Sequence, residues 1–90
     1  MPFPDPPRRR TDVVFRQLAD DWVLFDPSAN QIHVLNLSAA LVWTSCTGDA
    51  PLAQIVGEVA ESFPDPPPAD ELRTDVTEAL SRFASEGLLE

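Results

Sequence analysis

The apolar positions of this chain change their period once. Up to residue 35 they come in short runs rich in β-branched and aromatic side chains. From residue 37 onward they recur every three or four positions. Val13–Leu18 (VVFRQL), Trp22–Asp26 (WVLFD) and Gln31–Leu35 (QIHVL) read as three strands. Ala19-Asp20-Asp21 is a tight turn without the Asn-Gly or Asp-Gly signature, so its type stays open. In the second turn, Asp26-Pro27-Ser28-Ala29-Asn30, proline pre-sets φ and asparagine tolerates a positive one. Three strands joined by two short turns predict an antiparallel meander, with the first and third strands as edges. The first two strands are apolar on both sides in places, so helices must cover at least one sheet face.

The stretch Gln31–Trp43 (QIHVLNLSAALVW) joins the two halves, running from strand to helix with almost no loop. Asn36 and Ser38 are both acceptable caps for the first helix. That helix runs to about Cys46 and carries Leu37, Ala40, Leu41 and Trp43, and Thr47-Gly48 ends it. Asp49 is the expected cap of a second helix with Pro51 in its first turn. Its apolar stripe is Leu52, Ile55, Val56, Val59, Ala60 and Phe63, the clearest helical spacing in the chain. Pro64 and the run Pro66–Pro68 stop it, because proline cannot continue a helix interior. A third helix starts near Asp70, places Leu72, Val76, Ala79, Leu80 and Phe83 on one stripe, and ends at Gly87. Leu88 and Leu89 then pack back as an apolar tail. Strands followed by helices predict an α+β fold. The last two helices resemble a helix-turn-helix pair, although their connection is longer than usual.

Length and charge narrow the function. A chain of 90 residues is one domain with a thin stability margin. No apolar run approaches the roughly 18 residues of a membrane span, and the N-terminus has no secretory core. A soluble, cytoplasmic protein is expected. Residues 1–10 hold four prolines and Arg8–Arg10, and read as a disordered arm set apart from a folded domain over residues 11–90. The net charge is −9, and from residue 11 three Arg face fourteen acids, or −11. Such a body repels phosphate and speaks against nucleic acid as partner.

Candidate chemistry is sparse. His33 is the single histidine and Cys46 the single cysteine, and the chain has neither lysine nor tyrosine. These residues cannot build a structural zinc site, and a Cys46 among apolar neighbours reads as an inert thiol. The acids lie at a turn, on a solvated helix face or at a helix start, where each has a structural reason to be. With no phosphate-binding glycine loop either, the chain reads as a non-enzyme with no metal and no cofactor.

Binding remains. A third strand with an open edge is a liability unless something pairs with it. Adding a peptide strand to such an edge is a known recognition mode. Alternation puts Ile32 and Val34 on one face and His33 and Leu35 on the other. A helix beside the edge would complete a groove. A homodimer pairing through strand one or strand three uses the same feature.

The pieces WVLFD, HVLNLSAALVW, a glycine-containing turn, LAQIVGEVAESF and DVTEALSRFASEGLL, in that order, resemble the PqqD-like family of RiPP precursor recognition elements. The resemblance covers about residues 11–90. It implies a winged helix-turn-helix-like domain of three strands and three helices without catalytic activity. It also implies a peptide chaperone, which binds the leader of a ribosomally made precursor as an extra strand and presents it to a modifying enzyme, often a radical SAM enzyme. Carried onto this chain, the strand contacts are Gln31, Ile32, His33, Val34 and Leu35, with His33 lining the docking edge. The helix wall is Leu72, Asp75, Val76 and Ala79. The pyrroloquinoline quinone chaperone itself carries a Pro-Glu pair in the turn before strand three, whereas Ser28 follows Pro27 here. That departure points to another peptide pathway. A winged-helix DNA-binding regulator and a homodimeric interaction module are the alternatives.

Overall fold

The computed structural model describes residues 3–90. Three strands, β1 (Val14–Leu18), β2 (Asp21–Asp26) and β3 (Gln31–Leu35), are followed by three helices, α1 (Leu37–Ser45), α2 (Leu52–Glu61) and α3 (Ala69–Ser85). The fold is α+β, as the pattern predicts. The strands form one antiparallel sheet in the order β1-β2-β3. Val13 lies just outside β1 and is buried, and β2 begins one residue earlier than expected, at Asp21.

The register assigns the two faces. Leu24 stands opposite His33, and Trp22 opposite Leu35. Leu24, Asp26, His33 and Leu35 are all buried and share the inner face. At the rim of that face Phe15 stacks on Trp22, with ring centroids 5.3 Å apart. The β1–β2 link is Ala19-Asp20, closed by the Leu18–Asp21 pair. A two-residue hairpin link asks for positive φ, and Ala19 supplies it at 56° without glycine's freedom. Asn30, at φ 53°, does the same before β3, as its side chain leads one to expect.

The helices close over the inner face. α1 buries Ala40, Val42 and Trp43, α2 buries Leu52, Ile55 and Val59, and α3 buries Leu72, Val76, Leu80 and Phe83. Trp43 and Phe83 meet edge to face at 5.3 Å. Each buried Val, Leu, Ile or Phe among them contributes about 1.5–3 kcal/mol through removal of apolar surface from water. Leu37 departs from its expected core role: it sits at the start of α1 and is exposed, while Val42 takes the buried position. The C-terminal tail packs back, with Leu88 buried and Leu89 half-buried.

Two expectations about the N-terminal segment are corrected. Residues 3–10 lie against the body instead of standing apart as an arm. Phe3 belongs to the core cluster, and Pro7–Arg10 are held between two other segments. The Arg9 N–H donates to Cys46 O at 2.9 Å and the Arg10 N–H to Leu88 O at 3.0 Å. Gly48 N–H and Glu90 N–H donate back to Pro7 O and Arg8 O, at 2.9 and 2.8 Å. Gly48 has φ 88°, a backbone conformation that favours glycine, and the Arg8 guanidinium lies over the space a Cβ would take. Asp49 does not cap α2. The helix starts at Leu52, whose N–H donates to Asp5 Oδ1 at 3.0 Å, so the cap arrives from 47 residues away.

Arg10 ties the segment down electrostatically. Its guanidinium donates to both oxygens of the buried Asp26, to both of Asp12, to Ser28 Oγ and to the Gly87 carbonyl. Hydrogen bonds from Ser28 and then from Arg10 hold the Asp26 carboxyl down at about 2, against the opposing effect of burial. A carboxyl held below its unfolded value of 3.8 stabilises the fold above that value, and the contribution is lost as pH falls toward about 2. The urea midpoint is therefore expected to drop between about pH 4 and pH 2, and Asp26→Asn should flatten that drop while lowering the midpoint at neutral pH. The strained hairpin link gives a second expectation. Ala19→Gly should raise stability by about 1 kcal/mol, read from urea denaturation, because it removes the penalty of a Cβ at positive φ.

Candidate functional site: the open edge of β3 and the groove under α3

Among the described residues no strand pairs with the outer side of β3. Successive residues of a strand turn their N–H and C=O alternately to the two sides. The Val34 carbonyl accepts from Arg82 Nη2 at 3.4 Å, and Arg82 belongs to α3, outside the sheet. Val34, and with it Ile32, therefore turns its backbone groups to the open edge, while His33 and Leu35 bond inward to β2. Ile32 is 68% exposed and Val34 57%. Two apolar side chains thus face solvent beside backbone groups that no strand among the described residues pairs with, an arrangement that a monomeric sheet ordinarily protects.

The junction with α1 holds the edge in place. Asn36 alone separates β3 from α1 and caps the helix, accepting the Ala39 N–H on Oδ1 at 2.9 Å. Ser38, the other candidate cap, instead donates its hydroxyl to Asn36 Oδ1 at 3.0 Å. Beyond the edge, α3 forms a wall. A groove of about 430 Å³ lies between them, lined by Val34, Asn36, Ser38 and Ala39 on one side and Asp75, Glu78, Ala79 and Arg82 on the other. The four α3 positions are spaced three, four and seven apart, which is one face of a helix.

The expected site residues divide into two sets. Gln31, Ile32 and Val34 are exposed on or beside the edge, and Asp75 and Ala79 line the groove. His33 and Leu35 are turned into the core, at 8% and 2% exposure, and reach the edge only through the strand they belong to. His33 therefore does not line the groove with its side chain. Its Nδ1 lies 4.0 Å from Glu86 Oε2, and its buried Nε2 has no hydrogen-bond partner among the described residues. Leu72 and Val76 are core residues behind the wall, not part of its surface. Asn36, Ser38, Ala39, Glu78 and Arg82 were missed. Counting Asp75 forward by three, four and seven would have found Glu78, Ala79 and Arg82.

Cys46 lies away from this groove. It is fully buried, its Sγ 3.2 Å from Val42 O, and burial pushes the thiol up to about 12, so it holds its proton at neutral pH. Among the described residues no group of three His, Cys, Asp or Glu side chains is placed to hold a metal ion, and no helix is long and apolar enough to cross a membrane.

Comparison with known proteins adds two findings. The family model described as coenzyme PQQ synthesis protein D (PqqD) matches residues 21–89. The solved structure described as TbiB1 in complex with the TbiA(beta) leader peptide superposes with a TM-score of 0.74 at 18% identity, covering 92% of this chain and 94% of that one. Likeness at that identity speaks for the fold. A search of curated proteins returns no match.

The edge geometry makes a direct expectation. Val34→Pro removes an N–H that faces solvent, so it should change stability by no more than about 0.5 kcal/mol. His33→Pro removes a ladder donor and strands a buried carbonyl on β2, which should cost about 1–3 kcal/mol or more. Urea denaturation of the two variants separates these cases, and equal costs would contradict the assignment of the open edge to Val34.

Proposed function

The chain belongs to the PqqD family, and from that membership and the open β3 edge we propose that it is a non-catalytic carrier of a precursor peptide. The leader segment of the peptide adds to β3 as a fourth strand, lies in the groove under α3, and is thereby held for a separate modifying enzyme. The observation that carries this reading is the exposed Ile32–Val34 edge beside a preformed wall. Strand addition supplies backbone hydrogen bonds of any sequence, and the groove supplies side-chain selectivity. The neighbouring solved fold was determined with a leader peptide bound to TbiB1, which agrees with the proposal.

The chemistry of the surface favours the same reading over a DNA-binding one. From residue 11 the chain carries three Arg against fourteen acids. Arg9 and Arg10, cations that would otherwise be free to meet phosphate, donate to the Thr44 and Cys46 carbonyls and to Asp12 and Asp26. The turn before β3 lacks the Pro-Glu pair expected of the pyrroloquinoline quinone chaperone, since Pro27 is followed by Ser28, whose hydroxyl bonds Asp26 at 2.8 Å. This favours a peptide pathway with another product.

Calorimetric titration with synthetic peptides copied from short reading frames beside the gene tests the proposal. One of them should bind with a Kd from sub-micromolar to micromolar, with weak dependence on salt because backbone bonds dominate. Val34→Pro should weaken it about tenfold, the worth of one backbone bond to the edge. Undiminished binding by folded Val34→Pro protein, or no binding by any of the peptides, would overturn strand addition.

A further inference from the structure

The groove wall carries three charges that none of its own residues neutralises. Asp75, Glu78 and Arg82 line it together. None of them is in an ion pair among the described residues, where the pairs involve Arg8, Arg10 and His33 with Glu90, Asp12, Asp26 and Glu86. Glu78 and Arg82 are four apart on α3, a spacing at which such side chains ordinarily pair along an exposed helix. Instead the Arg82 guanidinium turns to the Val34 carbonyl, through a long bond of 3.4 Å. That carbonyl is the acceptor an incoming strand would use, so a bound peptide displaces Arg82 and leaves it needing an anion.

The spacing of these charges matches a strand. Glu86 lies against His33 and Arg82 against Val34, while Asp75 and Glu78 lie in the groove with Asn36, Ser38 and Ala39. α3 therefore runs counter to β3, along the side of the open edge where a strand would add. Four helix residues advance about 6 Å. Two strand residues advance about 6.6–6.8 Å and bring side chains back to the same face. Alternate side chains of an added strand would thus fall beside Glu78, with Asp75 one turn behind it, and beside Arg82.

Resting on the strand-addition reading, we propose that this wall selects extended peptides with a basic side chain two positions from an acidic one. The basic side chain sits at Asp75 and Glu78, and the acidic one at the displaced Arg82. Each charged contact is exposed and should contribute about a two- to fivefold preference.

The test is selection of random short peptides displayed on phage against full-length protein, its Val34→Pro variant, a charge-swapped Glu78→Arg/Arg82→Glu variant and a neutral Glu78→Gln/Arg82→Gln variant. Circular dichroism confirms that each is folded. The wild type should enrich Lys or Arg two positions from Asp or Glu, the swapped variant the same spacing in reversed order, and the neutral variant peptides without the charge pattern. Val34→Pro, which binds about tenfold more weakly, should enrich each of them far less. Peptides that depend on Val34 but lack the charge pair, or a swapped variant that keeps the original order, would overturn the selectivity alone. Absence of any enrichment sensitive to Val34→Pro would overturn strand addition and the selectivity together.

Discussion

The pleat of five residues, Gln31–Leu35, constrains the rest of the molecule. Side chains of a strand alternate, so burying His33 and Leu35 against the helices obliges Ile32 and Val34 to face out. A one-residue slip would exchange the two sets and leave Leu35 in solvent. The slip is blocked at both ends. Asn30 turns the chain into β3 with a positive φ, and Asn36 turns it directly into α1 while capping that helix. The edge is therefore exposed as a consequence of how the core is filled. The strand is preorganised, so a partner that pairs with it need not order it.

The terminal segments reinforce this frame from the opposite side. Pro7–Arg10 bond to residues 46 and 48 and to residues 88 and 90, drawing the end of α1 and the tail after α3 together. Arg10 adds the β2–β3 turn through Asp26 and Ser28. Because α1 comes directly after β3 and α3 walls the groove, a segment that joins their ends also sets the distance between edge and wall. The family match begins at residue 21 and so does not include this segment. In this chain it is part of the packed structure, with Phe3 in the core and Asp5 bonded to the first N–H of α2.

Much of the fold was legible because local signals agreed with one another. Period-two runs, turn residues and period-3.6 stripes all marked the same six elements, and their ends fell within a residue or two. What was not legible depended on distant partners. The Pro/Arg stretch reads as disordered in isolation; its order comes from carbonyls and carboxylates 16 to 78 residues away. Asp49 is a reasonable cap by position, yet Asp5 takes the place across the fold. At the groove, the edge could be read from alternation. Its wall was carried over from the family resemblance, and two of those positions, Leu72 and Val76, lie on the apolar stripe of α3 and point to the core. The face that lines the groove is offset from that stripe and is charged, so only Asp75 and Ala79 were found.

Whether the Ile32 and Val34 backbone is a free edge that a peptide strand occupies can be read at those two N–H groups. Residue-resolved amide hydrogen exchange, with and without a bound leader peptide, measures it there. Both amides should exchange rapidly in the free protein, while the inward-facing His33 and Leu35 amides are protected, and the peptide should slow Ile32 and Val34 selectively. Protection of Ile32 and Val34 already in the free protein, or peptide binding that leaves their exchange unchanged, would contradict the free edge and its occupation by a strand.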